Sequence, residues 1–267
     1  MKLYGVTSVY NEEDLVPIVM PYLERMGYDK LVVWDNGSTD RTVELLEQYP
    51  FIEIRHYDTE FFKETEKCTR IVNTVSEFAW LPKGENEAVW ATICDFDEVF
   101  QFNVPPSSFF TFRDYLFLMS AKGYKQFREH QWLLMENGER VCYGEPFYWN
   151  KPNLFRVDGN TTLFLSVGQH DANIKYGDEE PKIAYDTKML SALHLKYYNR
   201  EIFLKRQQLR ALRDFGIDSI GDNIEYNADV KKNLSEYDER LKLSIPYSEY
   251  FSHKILNGKE DVGRFLI

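Results

Sequence analysis

Cysteine is scarce: Cys68, Cys94 and Cys142 are the only three in 267 residues, odd in number and widely spaced. That excludes a disulfide scaffold or a zinc ribbon and points to a reducing compartment. Positive charge is short as well. The 32 Lys and Arg face 43 Asp and Glu, a net charge of −11, so bulk electrostatics will not hold nucleic acid. An anionic ligand needs a local basic groove. No window approaches the roughly 18 uninterrupted apolar residues of a membrane span. The opening MKLYGVTSVYNEED turns acidic too soon for a signal peptide. The expected location is the cytoplasm, with peripheral contact at the inner face of a membrane left open. Motifs are missing too. There is no G-x-G-x-x-G, no G-x-x-x-x-G-K-[ST], no G-x-S-x-G and no H-E-x-x-H, so neither the dinucleotide fingerprint, the P-loop, the nucleophile elbow nor the zincin helix applies. What is plentiful is core material. Hydrophobic residues make up 43% of the chain, with 19 Phe, 18 Tyr and 5 Trp, which excludes disorder and supplies one large domain.

The first half alternates strand and helix. LYGVTSVY (residues 3–10) reads as a strand ending at Asn11, which is placed to cap a helix whose first turn carries Glu12, Glu13 and Asp14. Leu15, Ile18, Val19, Tyr22, Leu23 and Met26 follow at helical spacing up to Gly27, and Pro17 and Pro21 predict a kink or a break. LVVW (31–34) suits a buried parallel strand and runs into Asp35-Asn36-Gly37-Ser38-Thr39-Asp40, a turn with a helix cap at Ser38 or Asp40. A helix to Leu46, a strand over 51–57 and an amphipathic helix through Cys68, Ile71, Val75 and Phe78 come next. VWATIC (89–94) is a second buried strand with Asp95-Phe96-Asp97-Glu98 at its end. Such alternation implies an α/β fold with a mostly parallel sheet and flanking helices, and ligands bind such sheets beyond the carboxyl ends of the strands. The polar clusters at 10–12, 35–40 and 95–98 therefore share one crevice.

The second half is less regular. A helix is expected over 107–121, with strands over 125–134, 153–157 and 163–167 and a basic helix over 199–215 carrying Arg200, Lys205, Arg206, Arg210 and Arg213. No internal repeat or low-complexity linker appears. The reading is one domain over 1–200 with a helical C-terminal extension over 201–267 packed on it.

Asp95 and Asp97, at i and i+2 past a strand, can both reach one hard cation. With 18 Asp in the chain, chance alone supplies about one Asp-x-Asp, so the pair gains meaning from its position at a parallel-sheet edge. Asp35 can accept hydrogen bonds from a ribose hydroxyl or a base N–H, while Asn36 to Thr39 make the turn.

Taken together, Tyr10-Asn11-Glu12-Glu13, Pro21-Tyr22-Leu23, Gly27-Tyr28-Asp29, Trp34-Asp35-Asn36-Gly37-Ser38-Thr39-Asp40, Trp90 and Asp95-Phe96-Asp97-Glu98 resemble the family 2 branch of GT-A-fold glycosyltransferases. That branch shares a D-N-x-S-x-D turn and a D-x-D-E-F-type metal motif, a pattern also seen in family 92. The match in order and spacing covers roughly residues 3–100. Weaker echoes follow at 151–156, 168–170 and 194–198. Val99 stands where Phe is common, with Phe100 next.

The resemblance implies a Rossmann-like GT-A fold and a nucleoside-diphosphate-sugar donor, a UDP-sugar favoured. A carbohydrate or lipid-linked glycan would be the acceptor, in surface polysaccharide or glycoconjugate synthesis. It implies that Thr7, Val9, Tyr10, Asn11, Glu12, Asp35, Arg70, Asp95 and Phe96 hold the nucleotide, and that Asp95 and Asp97 hold Mn²⁺ or Mg²⁺ on the diphosphate. His170 and His194 are the alternatives for a late metal ligand. Asp171, Glu98 and Glu129 are the candidate bases for the acceptor hydroxyl. Lys67 and Arg70 can face the diphosphate or form a solvated helix face. The basic stretch 200–213 can hold phosphates, an anionic acceptor or a membrane surface, or be a charged helix exterior. His56, His130 and His253 read as structural. The rivals are a silent sugar-nucleotide or carbohydrate-binding protein on the same fold, and a nucleotidyltransferase. The latter wants a glycine-rich basic loop after the first strand, which Val6-Thr7-Ser8-Val9 does not offer.

Overall fold

The structure is a computed structural model. It describes residues 1–57, 64–81, 87–104, 109–129, 131–143, 154–166, 172–185, 189–215 and 224–250, with the backbone alone at 210–215, 224–230 and 233. Fourteen strands and six helices occupy these residues. They begin with β1 (Lys2–Val9), α1 (Val16–Met26), β2 (Lys30–Asp35), α2 (Thr42–Leu46), β3 (Ile52–His56), α3 (Glu64–Phe78), β4 (Val89–Ile93) and β5 (Glu98–Phe102). After these come α4 (Phe112–Ala121), β6 (Tyr124–Arg128), β7 (Gln131–Met135), β8 (Arg140–Tyr143), β9 (Leu154–Val157), β10 (Thr161–Leu165), β11 (Ala172–Tyr176) and β12 (Lys182–Tyr185). The last are β13 (Leu190–His194), α5 (Arg200–Phe215), α6 (Ile224–Leu243) and β14 (Ile245–Pro246).

Seven strands form the central sheet in the order β12-β6-β9-β4-β1-β2-β3. All run the same way except β9, which is antiparallel to both β4 and β6. This is the expected mixed α/β architecture with a largely parallel sheet. Alternate residues of β1 face opposite layers. Leu3 and Val9 join the core beneath α1 and α4, whereas Tyr4 and Val6 pack against Ile71, Val75 and Phe78 of α3. Gly5 is required where β1 passes closest to its neighbours: a Cβ there would lie 2.7 Å from Leu31 Cδ1, 2.8 Å from Thr92 Oγ1 and 2.9 Å from Tyr28 Cε1.

The first half follows its pattern with two differences. α1 is one uninterrupted helix across Pro21, and Pro17 falls in its first turn, where its missing N–H costs nothing. Gly27 closes it in the left-handed conformation at φ 70°. Asn11 is not its cap. The helix starts five residues later, with Leu15 at the cap position and no side-chain cap.

The second half departs further. The single strand expected over 125–134 is two strands in two sheets. β6 joins the central sheet, while β7 belongs to a second, five-stranded sheet ordered β14-β8-β7-β13-β5. Period-2 alternation cannot announce that change of sheet, because both halves bury side chains. β5 continues directly from the Asp95–Glu98 turn and pairs with β13, placing Glu98 opposite His194. The C-terminal elements pack through Phe203 and Tyr237 on Leu133, Met135 and Tyr197, and β14 returns to pair with β8. No helix among the described residues is long and apolar enough to cross a membrane.

Candidate functional site

Strand register brings the three polar clusters to one edge. Val9, the last residue of β1, lies opposite Asp35, the last of β2, and Asp35 lies opposite His56, the last of β3. On the other side of β1, Val6 pairs with Ile93 at the end of β4, two residues before Asp95. The tips carrying Asp35 and Asp95 are therefore two strand spacings apart, about 10 Å.

The first loop is laced to the second by side chains. Asn11 takes a left-handed backbone (φ 52°), which asparagine tolerates better than most residues. Its Oδ1 accepts the N–H groups of Thr39 (2.7 Å) and Asp40 (3.3 Å). In return Ser38 Oγ accepts the Asn11 N–H, Thr42 Oγ1 the Glu12 N–H and Asp40 Oδ2 the Glu13 N–H. Asp40 also accepts the Thr42 N–H at the start of α2, although Arg41, not the expected Ser38 or Asp40, stands at the cap position. Asp35 is 3% exposed. It accepts the Ser38 N–H at 3.1 Å, and His56 Nδ1 lies 3.2 Å from its Oδ2. Sequence reasoning set His56 aside as structural, and only the β2–β3 register reveals the pairing.

On the α3 side of the same edge, the Arg70 guanidinium lies over the rings of Tyr57 (4.6 Å) and Trp34 (5.2 Å). Its Nε is buried without an acceptor among the described residues. The Val9 side chain is core, and its carbonyl accepts the Asn36 N–H. Tyr10 is partly exposed beside Asn11. Thr7 is buried, and its Oγ1 has no partner among the described residues. It opens onto a cavity of about 20 Å³ that Tyr28, Thr92, Cys94, Asp95 and Glu98 also line, room enough for one water to serve the hydroxyl.

The Asp95–Glu98 turn is held from within. Glu98 N–H donates to the Asp95 carbonyl, Asp95 N–H to Glu98 Oε2, and Gln131 Nε2 to Glu98 Oε1 at 3.1 Å. Phe96 is buried in the core and anchors the turn. Glu98 and Glu129 are both buried; Glu129 directly follows β6, at the same edge of the sheet.

Two protein cations reach the paired aspartates. Lys67 Nζ of α3 donates to Asp95 Oδ1 at 2.7 Å. Arg206 of α5 donates through Nη1 to Asp97 Oδ2 at 2.7 Å and through Nη2 to Glu12 Oε1 at 3.0 Å. Its neighbour Lys205 pairs with Glu13 and Asp14, so α5 is pinned across the loop that follows β1. His194 Nε2, at the end of β13, lies 3.3 Å from Asp97 Oδ2. Burial pushes the Asp97 carboxyl up, but Arg206 and His194 outweigh it and hold it well below the usual carboxylate range. Burial also opposes the charge on Arg206, and Asp97 and Glu12 reverse that effect, raising its pKa. The basic helix was legible in sequence; that Arg206 is the member reaching the edge was not. His170 and Asp171 lie outside the described residues, as do His130 and His253.

Among the described residues no three His, Cys, Asp or Glu side chains converge as a ready metal cage. Asp97 Oδ2 and His194 Nε2 are nonetheless 3.3 Å apart, close to the roughly 3 Å edge between neighbouring ligands of an octahedral ion with bonds of about 2.1 Å. Asp95 stands two residues away. One or two carboxylates with the remaining positions left to phosphate and water is how such ions are commonly held beside phosphates, so the donor set fits Mn²⁺ or Mg²⁺.

No protein-family model matches the chain, and no curated protein does. Among solved structures the chain is similar to S. aureus TarS 1–349 in complex with UDP-GlcNAc, with 16% identity and a TM-score of 0.43 over 82% of this chain and 68% of that one. It spans 47% of the longer TarS structure, at 15% identity and a TM-score of 0.46. It is also similar to glucosyl-3-phosphoglycerate synthase from Mycobacterium tuberculosis in complex with Mn²⁺, UDP and glucosyl-3-phosphoglycerate, with 16% identity and a TM-score of 0.26 over 49% of this chain and 44% of that one. A third is 4-diphosphocytidyl-2C-methyl-D-erythritol synthase from Anaerococcus prevotii, with 10% identity and a TM-score of 0.35 over 76% and 95%.

Proposed function

We propose that this chain is a GT-A-type glycosyltransferase of the family 2 kind. It moves a sugar from a nucleoside-diphosphate donor, a UDP-sugar in the first instance, to a hydroxyl of a carbohydrate or lipid-linked glycan. One observation carries the reading. A base- or ribose-accepting aspartate (Asp35), a pair of metal-type carboxylates (Asp95, Asp97), a histidine (His194) and an arginine (Arg206) come from four separate parts of the chain to one sheet edge. Structural needs alone do not demand so many ionisable groups, Asp35 and Asp97 buried among them, at one place.

In this reading Asp35, with Ser38 and His56 fixing its carboxylate, takes the uridine. Tyr10, Asn11 and the edge of β1 line that end of the crevice, and Arg70 on its aromatic shelf borders it. Asp95, Asp97 and His194 would hold Mn²⁺ or Mg²⁺, which supplies charge stabilisation to the departing diphosphate. Glu98 keeps the turn in shape, since both its oxygens receive protein N–H donors. Glu129 and Asp171 remain the candidates for taking the acceptor proton.

The test is a thermal-shift panel of nucleoside diphosphates and sugar nucleotides with and without Mn²⁺, followed by donor hydrolysis. Binding to the native state raises the melting temperature by mass action. One nucleotide family should stand out and need Mn²⁺, and Asp97→Asn should abolish hydrolysis. A panel that shifts nothing in either condition overturns the reading. Binding without turnover on any acceptor turns it toward a sugar-nucleotide-binding protein.

A further inference from the structure

Each member of the aspartate pair already carries a protein cation. Lys67 sits on Asp95 and Arg206 on Asp97, each at 2.7 Å, and both cations are mostly enclosed, with side chains 12% and 19% exposed. Arg206 and His194 address the same oxygen, Asp97 Oδ2. A divalent ion bound there would stand next to the guanidinium, and the repulsion between them is weakly screened in so enclosed a place. Arg206 therefore opposes an ion that arrives alone. A diphosphate that arrives alone meets the opposite difficulty, because Asp95, Asp97 and Glu12 lie where it must go.

Together the two ligands solve the problem. A divalent cation and the dianionic diphosphate of a sugar nucleotide add no net charge. Lys67 and Arg206 then need neither leave nor be neutralised; they need only exchange a carboxylate oxygen for a phosphate oxygen. Arginine's planar fork suits that exchange, since it binds phosphate and carboxylate alike. We propose that Lys67 and Arg206 are exchangeable cations, resting on Asp95 and Asp97 before the donor arrives and turning to its diphosphate on loading, so that metal and nucleotide bind strongly only together. The proposal rests on the glycosyltransferase reading and adds the origin of metal–nucleotide coupling to it.

The experiment measures two ligands separately and jointly on the full chain: Mn²⁺ from the free-ion paramagnetic resonance signal, and UDP by calorimetry. In the wild type, saturating UDP should tighten Mn²⁺ by about tenfold or more, and Mn²⁺ should tighten UDP by the same factor. Arg206→Met keeps the apolar stem and removes the charge. It should tighten Mn²⁺ measured alone by severalfold, weaken UDP in the presence of Mn²⁺ by about tenfold, and so collapse the coupling. Arg206→Lys should restore part of it. Lys67→Met is the companion variant should Arg206→Met fold poorly, and it should move both constants in the same directions. Weakening of Mn²⁺ alone in these variants, or coupling that survives them unchanged, overturns the proposal and makes both residues simple struts. Wild type that binds neither probe overturns it as well. If Mn²⁺ binds through Asp97, and is lost in Asp97→Asn, but no nucleoside diphosphate binds, the glycosyltransferase reading fails. The competition between Arg206 and Mn²⁺ then still reads out in Arg206→Met.

Discussion

Asp97→Asn separates the electrostatics of this edge from its shape. The substitution is nearly isosteric and leaves one oxygen to accept from Arg206, which also keeps Glu12. What is lost is the charge: the bond from Arg206 keeps only the guanidinium's charge and the contact with His194 loses its carboxylate, each at about 1 kcal/mol. Asp97 and Arg206 side chains are 9% and 19% exposed, so screening removes little of this. The expected destabilisation of the metal-free protein at neutral pH is about 2 kcal/mol. With an unfolding entropy of about 2.1 cal/mol/K per residue over 267 residues, that lowers the melting temperature by roughly 4 °C. The pH dependence carries the sign. The folded carboxyl is held below its unfolded value, so its contribution is complete above the unfolded pKa near 3.9 and fades as pH falls toward the lower folded value. Urea midpoints of wild type and Asp97→Asn, measured with a chelator at pH 7, 5, 4 and 3.5, should therefore keep their full gap at the first two values and begin to narrow over the last two. A gap that stays constant to pH 3.5 would show that the ion pair is not its source.

Other perturbations test other parts. Asp35→Ala should remove the preference for one nucleobase in the thermal-shift panel while leaving the Mn²⁺ response, because Asp35 lies two strands from Asp97. Loss of the metal response would place Asp35 elsewhere in the mechanism. Gly5→Ala forces a methyl to within 3 Å of three side chains, and overpacking of this kind costs about 1–3 kcal/mol, seen as an earlier urea midpoint; a neutral result would mean that β1 shifts freely. Lys205→Ala breaks only half-exposed pairs with Glu13 and Asp14 and should change stability by less than about 1 kcal/mol, in contrast to Arg206→Ala, where buried carboxylates lose their partner at about 3–5 kcal/mol. Equal effects at 205 and 206 would contradict the burial difference between them.

What could be read in advance was local. Strand runs, the Gly27 stop and the Asp35–Asp40 turn depend on neighbours within a few residues, and their polar ends had to meet once the sheet was parallel. The misreadings, the proline break in α1 apart, were decided at a distance. Asn11 has the chemistry of a helix cap, but its carboxamide is drawn to Thr39 and Asp40, 28 and 29 residues on. The run 125–134 divides between two sheets because β9 claims β6 and β13 claims β7. His56 gains its meaning only from standing opposite Asp35, and Arg206 only from a helix that folds back over residues 191 and more positions earlier.

The placement of the aspartate pair has a structural consequence for the rest of the chain. The turn from Asp95 to Glu98 is the joint between the two sheets, leaving β4 of one and entering β5 of the other. Its geometry is fixed from the second sheet by Gln131 on Glu98 and by the Leu195 N–H on the Asp97 carbonyl. β13, which ends immediately before Leu195, delivers His194, and the residues after it lead directly into α5 and Arg206. A shift of β13 along β5 by one residue would turn His194 to the opposite face and carry Arg206 out of reach of Asp97. The second sheet is therefore the template that sets the distance between the carboxylates and the cation opposing them. Substitutions deep in it, at the buried Leu193 or Leu133, should alter metal and nucleotide binding through that distance even though neither side chain approaches the crevice.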